Sequence, residues 1–159
     1  MPHRNVDLVT AALTAGGADP ARVARMTVLP DAVTTAAAAA AALGVEVGQI
    51  ANSLVFDADG VPLLVLTSGA HRVDTGKVAA LVGAGRVRRA SPEFVRDATG
   101  QAIGGVAPVG HPAPLRTLVD RALDQYDEVW AAGGIPHAVF PTTFSELVAV
   151  TGGESADVA

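Results

Sequence analysis

Residues 99–111 have the composition of a loop that could hold a small ligand. These thirteen residues contain four glycines, one proline and a terminal histidine, His111. Glycine lacks a Cβ, so the backbone can adopt positive φ and a ligand can approach it closely. Backbone N–H groups in such turns can also point at an anion or a carbonyl oxygen. We therefore interpret the segment as a ligand-binding loop, with a glycine-rich turn that binds nothing as the alternative.

Two polar residues, Asn52 and Ser53, interrupt an apolar segment that alternates like a β-strand. Asn52 shares a face with Ile50, Leu54 and Phe56, and we expect that face to be the interior one. A buried asparagine must satisfy its amide with hydrogen bonds or lose about 1–3 kcal/mol. Asn52 is therefore expected to pin a neighbouring loop or to line a cavity. Ser53 lies on the other face or at the start of a bend, and its role stays open.

His111 and Asp120 are the ionisable candidates. Histidine titrates near neutral pH, so His111 could act as a base, although a histidine that closes a glycine-rich loop more often bonds the backbone. Asp120 follows a predicted strand and is expected to orient the end of the sheet rather than to carry a proton. The chain has no cysteine and its four histidines lack metal-ligand spacing. These features exclude a thiolate nucleophile and predict no metal site.

The charge of the chain limits its partners. A net charge of −5 argues against broad binding to nucleic acid, because lysine and arginine supply most of that affinity. DNA is therefore not an expected partner. Positive charges do gather within eighteen residues, at Arg72, Lys77, Arg86, Arg88 and Arg89. Such a patch could contact one end of a nucleic acid, and a solvated face with ordinary ion pairs is the alternative.

The chain's length and hydropathy indicate a single domain. A length of 159 residues is typical of one domain. No apolar run is long enough to span a membrane, and the first residues do not lead into a signal peptide. The expected location is cytoplasmic, with no membrane partner.

Predicted elements place these candidates in an α+β fold. Helices are predicted at 5–15, 20–23, 33–43, 76–82, 92–98, 121–126 and 144–150. Strands are predicted at 26–29, 50–56, 61–66, 86–90, 115–119, 128–132 and 137–140, many of them joined by hairpins. This order favours a curved, mainly antiparallel sheet with helices around it. The tail, 154–159, is expected to be frayed.

Three segments, 47–56, 73–77 and 99–111, resemble the YbaK/ProX family of aminoacyl-tRNA editing domains, which also occur inserted in bacterial prolyl-tRNA synthetases. The likeness covers roughly residues 25–150 of a single domain, 1–159. It implies a mixed, barrel-like sheet surrounded by helices.

The resemblance also implies an activity. Family members hydrolyse the ester between a wrong amino acid, typically alanine or cysteine, and tRNA for proline. The expected partner is the 3′ end of aminoacyl-tRNA, with an aminoacyl-tRNA synthetase as a further possible partner, and no cofactor is expected. The site would exclude larger aminoacyl groups by size. The implied substrate-binding residues are Gly104, Gly105, Pro108, Gly110, His111 and Asp120.

One position departs from the family. Relatives usually carry a lysine where this sequence has Asn52, so the catalytic positions implied here are Asn52 and the adjacent Ser53. Asparagine offers two N–H donors but no positive charge. Two interpretations remain: a hydrolase that acts in trans, or a non-catalytic module that binds the aminoacyl-adenosine end.

Overall fold

Residues 3–159 are described by a computed structural model, and within them a mixed eight-stranded sheet is covered by helices. The strands are β1 (Thr27–Val28), β2 (Ile50–Ala58), β3 (Val61–Ser68), β4 (Val87–Arg89), β5 (Arg116–Asp120), β6 (Val129–Ala132), β7 (Ala138–Thr142) and β8 (Glu154–Ala156). The helices are α1 (Arg4–Ala15), α2 (Pro20–Val23), α3 (Ala36–Leu43), α4 (Thr75–Val82), α5 (Pro92–Thr99) and α6 (Phe144–Thr151). Two 3₁₀ segments span Val47–Gln49 and Arg121–Gln125. The predicted α+β fold class is confirmed.

Side-chain caps explain why most helices begin where the sequence predicts. Thr35, Asp74, Ser91 and Thr143 each accept a hydrogen bond from a backbone N–H in the first turn of their helix. Helix α1 differs, because it follows His3 without a side-chain cap. Asn5, in the first turn of α1, donates to the Gly100 and Gly134 carbonyls, at 3.4 and 3.3 Å. These bonds tie α1 to two distant loops.

The sheet is split along one edge of β2. The strand order is β1-β7-β6-β2-β3-β5-β8, and β4 also pairs with β2. Along one edge, β2 pairs with β3 from Ala51 to Ala58. Along the other edge, β6 pairs only at Ile50 and Ala51, and β4 pairs only from Phe56 onward. Residues 52–55 therefore face a gap between β6 and β4.

Both faces of the sheet are covered, which corrects the expectation of a single interior face on β2. Ala51 and Val55 pack in the larger core cluster with α1, α5 and α6. On the opposite face, Ile50 packs with α3 and Phe56 packs with α4. Side chains alternate along a strand, so Asn52 lies on the α3 and α4 face and Ser53 lies on the face of the larger core.

The prediction that the C-terminal tail is frayed is wrong. Residues 154–156 form β8, which pairs in parallel with β5. Ala156 and Val158 are buried, at 5% and 0% exposure. The backbone N–H of Asp74 donates to the Val158 carbonyl at 2.8 Å. Burial of two apolar side chains and a strand pairing hold a segment that looks like an ordinary polar terminus in the sequence.

In residues 3–159, no helix is long and apolar enough to cross a membrane.

Candidate functional site

A cavity of about 580 Å³ lies at the gap between β6 and β4. Its wall includes Asn52, Ser53 and Gly104, which the sequence analysis placed in one site. The volume falls within the range of pockets that bind small molecules or cofactors. The structure therefore brings the early strand and the glycine-rich loop together at one hollow.

The β2 backbone supplies unpaired polar groups to this hollow. The Gly69 N–H donates to the Ile50 carbonyl at 2.8 Å, so even-numbered residues of β2 bond toward β3. The Asp59 N–H donates to the Arg86 carbonyl at 3.1 Å, so odd-numbered residues bond toward β4. By this alternation, Ser53 and Val55 direct their N–H and C=O groups into the gap. Strand-edge groups of this kind require a partner, which a ligand can supply.

The side chain of Ser53 is the clearest anomaly. Among residues 3–159, its hydroxyl is the buried side-chain polar atom that has no hydrogen-bond partner. Leaving a buried hydroxyl unpaired costs about 1–3 kcal/mol. Asn52 is half-buried in the same wall, and within the described residues its amide makes no hydrogen bond to the protein. The Asn52 amide is therefore available to a ligand, and the Ser53 hydroxyl is a buried group without a partner in the same wall.

The glycine-rich loop contributes to the cavity wall through Ile103, Gly104 and Val106 rather than along its whole length. Gly104 has φ of +92° and lies against Thr34 at the cavity wall. Gly105 packs on the β6–β7 turn, where a Cβ would lie 2.5 Å from the Ile135 carbonyl carbon. Its N–H is already bonded to the Ala102 carbonyl at 3.0 Å. Pro108 is buried and is not part of the wall. Gly105 and Pro108 therefore shape the loop.

Gly110 and His111 lie outside the cavity. Gly110 packs against Val9 of α1, and Gly110 and His111 both border a second depression beside Asn5. The His111 Nε2 lies 2.9 Å from the Ala107 carbonyl oxygen. Burial lowers the pKa of His111, and the hydrogen bond to Ala107 opposes that shift. His111 thus bonds the backbone, which is the alternative that its loop context favours.

Asp120 also lies outside the cavity, in a polar cluster of its own. Its side chain is 2% exposed. One carboxylate oxygen accepts from the Ser68 N–H at 2.9 Å and from the Thr67 hydroxyl at 3.2 Å, and it lies 2.9 Å from His71 Nδ1. The other accepts from the Ala122 N–H at 2.9 Å. Asp120 therefore ties the ends of β3 and β5 to a neighbouring loop, as expected for a residue that orients the sheet.

Two arginines at the cavity were not predicted individually as site residues. Arg72 and Arg89 belong to the predicted basic patch, and both contribute to the cavity wall. Lys77 and Arg88, from the same patch, are paired with Asp157 and Asp57. The pairing of β4 with β2 separates Arg89 from Arg88, and no local pattern in the sequence reports that pairing. Within residues 3–159, the wall contains no carboxylate, histidine or lysine.

Comparisons with known proteins agree with this geometry. The aminoacyl-tRNA editing domain matches residues 30–150. A crystal structure described as that of a proposed trans-editing enzyme for prolyl-tRNA synthetase is 45% identical, with a TM-score of 0.89 and coverage of 99% of this chain and 98% of that chain. The uncharacterized protein YwhH of Bacillus subtilis is 32% identical over 110 residues, which are 69% of each chain. The proline–tRNA ligase of Lysinibacillus sphaericus is 33% identical over 81 residues, which are 51% of this chain and 14% of the ligase.

Proposed function

Since the chain belongs to the aminoacyl-tRNA editing domain family, we propose that it hydrolyses the ester between a small mischarged amino acid and tRNA. The proposed substrate is alanine or cysteine attached to tRNA for proline, and the proposed partner is the free aminoacyl-tRNA 3′ end. One observation carries the proposal: Asn52 and the open edge of β2 line one hollow, and Ser53, whose buried hydroxyl has no partner, belongs to the same wall. The family resemblance seen in the sequence is confirmed by the match over residues 30–150.

Stabilisation of charge on the ester oxygen is the chemistry that these groups support. In the proposed step, water adds to the ester carbonyl carbon and negative charge develops on the carbonyl oxygen. N–H donors aimed at that oxygen lower the barrier. The Asn52 amide and the Ser53 or Val55 backbone N–H are the proposed donors to that oxygen. The bond from the carbonyl carbon to the ribose oxygen then breaks, and the proton lost by water ends on that oxygen.

No ionisable base stands in the wall. Within the described residues, the side chains that line the cavity include neither a carboxylate nor a histidine. The attacking water must therefore pass its proton to a group of the substrate or to solvent. An aminoacyl ester is already activated, so positioning and oxyanion donors carry the proposed rate enhancement.

Aliphatic side chains support the choice of a small acyl group. Val55, Val95 and Val106 line the cavity and belong to the core cluster on the Ser53 face. Such a surface suits the methyl group of alanine or the thiol-bearing side chain of cysteine. A larger aminoacyl group would need space that the packed valines occupy, and this is the physical basis of a size filter.

Release of amino acid from charged tRNA tests the proposal. The purified protein is incubated with alanyl-tRNA, cysteinyl-tRNA and correctly charged prolyl-tRNA for proline, and release is compared with that in buffer. We expect faster release of alanine or cysteine only. The variant Asn52→Ala should lower kcat by roughly 10²–10³, as for loss of one oxyanion donor.

The matched control is Asn5→Ala, which removes an asparagine that bonds two loops outside the cavity. Its folded form should keep the release rate of the unmodified protein. Absence of release from every charged tRNA would contradict the hydrolase proposal. Tight binding of charged tRNA without release would instead favour the non-catalytic module.

A further inference from the structure

Two arginines at the cavity have no acidic partner. Arg72 and Arg89 are exposed and line the cavity, and within residues 3–159 neither forms an ion pair. Five other basic side chains are ion-paired: Arg22, Arg25, Lys77, Arg88 and Arg116. The remaining arginines form no ion pair within the described residues, but none of them lines this cavity: Arg4, Arg86, Arg96 and Arg121. The chain carries 16 acidic and 11 basic residues. In such an acid-rich chain, two unpaired guanidinium groups at one cavity indicate an anionic ligand.

Both arginines lie on the face of the sheet toward which the Asn52 side chain points. Arg89 of β4 is paired with Phe56 of β2, so their side chains share a face. Alternation along β2 places Asn52 on that face as well. Arg72 lies in the loop between β3 and α4, and α4 covers this face. A ligand in contact with the Asn52 amide therefore lies beside positive charge.

The loop that carries Arg72 is fixed on both sides. Its neighbour His71 donates its backbone N–H to the Ser68 carbonyl at 2.9 Å, and its ring lies 2.9 Å from the buried Asp120 carboxylate. On the other side, the Asp74 N–H donates to the Val158 carbonyl at 2.8 Å. A fixed loop loses less entropy when its side chain binds a ligand. The Asp120 cluster thus positions Arg72 at the cavity.

We propose that Arg72 and Arg89 form a phosphate-binding subsite for the phosphodiester next to the terminal nucleoside of an RNA 3′ end. The guanidinium group matches phosphate oxygens with paired N–H donors and keeps its charge at every relevant pH. The identity of the RNA rests on the proposed function, because an editing domain receives the aminoacylated 3′ end. In this arrangement, the acyl group lies against the Ser53 side of the cavity and the phosphate lies at the Arg72 and Arg89 side.

Binding of two probes tests this subsite. The first is an acceptor-stem RNA hairpin that carries alanine in a non-hydrolysable amide linkage at its 3′ end. The second is the corresponding alanyl-amide of adenosine, which has no phosphate. Arg72→Ala and Arg89→Ala should each raise the Kd of the RNA roughly tenfold and leave the Kd of the nucleoside unchanged. Each should also reduce the salt dependence of RNA binding, by about 0.7 in the log–log slope.

Arg88→Ala is the matched control, because Arg88 lies next to Arg89 on the other face of β4 and pairs with Asp57. It should leave RNA binding within twofold, by the small effect expected of an exposed ion pair. Equal losses for both probes, equal losses for Arg88→Ala, or no loss in either arginine variant would overturn the subsite. The hydrolase proposal is judged separately by amino-acid release. Arginine-dependent RNA binding without release supports the subsite and contradicts the hydrolase.

Discussion

Two polar clusters of the same sheet differ in whether the protein satisfies them. Around Asp120, both carboxylate oxygens accept hydrogen bonds, and the donors come from three separate segments. At the gap in the sheet, the Ser53 hydroxyl has no partner, and the adjoining edge of β2 is unpaired. Unpaired buried polar groups destabilise a fold. The satisfied cluster therefore supports the structure, whereas the unsatisfied one indicates where a ligand binds.

The largest expected effect is on the satisfied cluster. Replacing Asp120 by alanine leaves the Ser68 and Ala122 N–H groups and the Thr67 hydroxyl without their acceptor. Unpaired buried donors cost about 1–3 kcal/mol each, so we expect Asp120→Ala to lower the free energy of unfolding by on the order of 3 kcal/mol. Urea denaturation measures this change.

Asp124→Ala is the control for that variant, because Asp124 is exposed on the 3₁₀ segment that follows β5. It should change the free energy of unfolding by less than about 0.5 kcal/mol. If the two aspartate variants lose similar stability, the carboxylate of Asp120 is not the structural centre that its hydrogen bonds indicate, and the contrast between the clusters fails.

Two serines on neighbouring strands allow the two clusters to be compared by removing one hydroxyl group from each. Ser68 donates to the Gly48 carbonyl at 2.9 Å, whereas Ser53 has no partner. Ser68→Ala should lower the free energy of unfolding by about 1 kcal/mol, and Ser53→Ala should raise it by a similar amount, because it removes an unpaired buried group. Urea denaturation of both variants provides the measurement.

Ligand binding by the same two serine variants separates an effect on function from an effect on stability. Ser53→Ala should become more stable and yet bind the alanyl-amide of adenosine more weakly, because a donor at the cavity wall is lost. Ser68→Ala should bind that probe as the unmodified protein does. A loss of stability in Ser53→Ala would show that its hydroxyl is satisfied in solution, which would remove the main evidence for a ligand at the gap.

The sequence predicts the local elements well, because the signals that start and end them are local. Thr35 and Ser91, residue types that favour the N-cap position, cap α3 and α5, and a turn that ends at Gly60 joins β2 to β3. The frayed tail was a wrong prediction, because β8 depends on a parallel pairing with β5 that no short-range pattern reports.

The site was predictable only in part, for a related reason. Gly104 and Gly110 both have positive φ, at +92° and +88°, and the sequence treats them alike. The first lies against Thr34 at the cavity, and the second packs on Val9 of α1. Arg89 of the proposed subsite was likewise indistinguishable from Arg88, because the alternation of β4 acquires its meaning only from its pairing with β2. Partners distant in sequence decide these roles.

His111 lies between these two cases, because it is half-buried and has a single hydrogen-bond partner, and it gives the smallest expected effect. Burial lowers the pKa of this imidazole in the folded protein. The unfolded chain therefore binds a proton more readily as the pH falls below about 6.5, the ordinary value for histidine. The stabilisation from neutral His111 is complete above that pH and is lost as the pH falls toward the folded-state pKa. We expect the free energy of unfolding to decrease over this range.

The variant His111→Gln tests this assignment, since an amide can donate to the Ala107 carbonyl and does not titrate. Its unfolding free energy should depend less on pH between 7 and 5 than that of the unmodified protein, as estimated from urea denaturation at several pH values. Because His111 lies outside the cavity, this variant should not alter amino-acid release at neutral pH. A release rate that falls in His111→Gln while its stability is retained would place this histidine in the reaction and would show that a group with a protein partner can still serve the substrate.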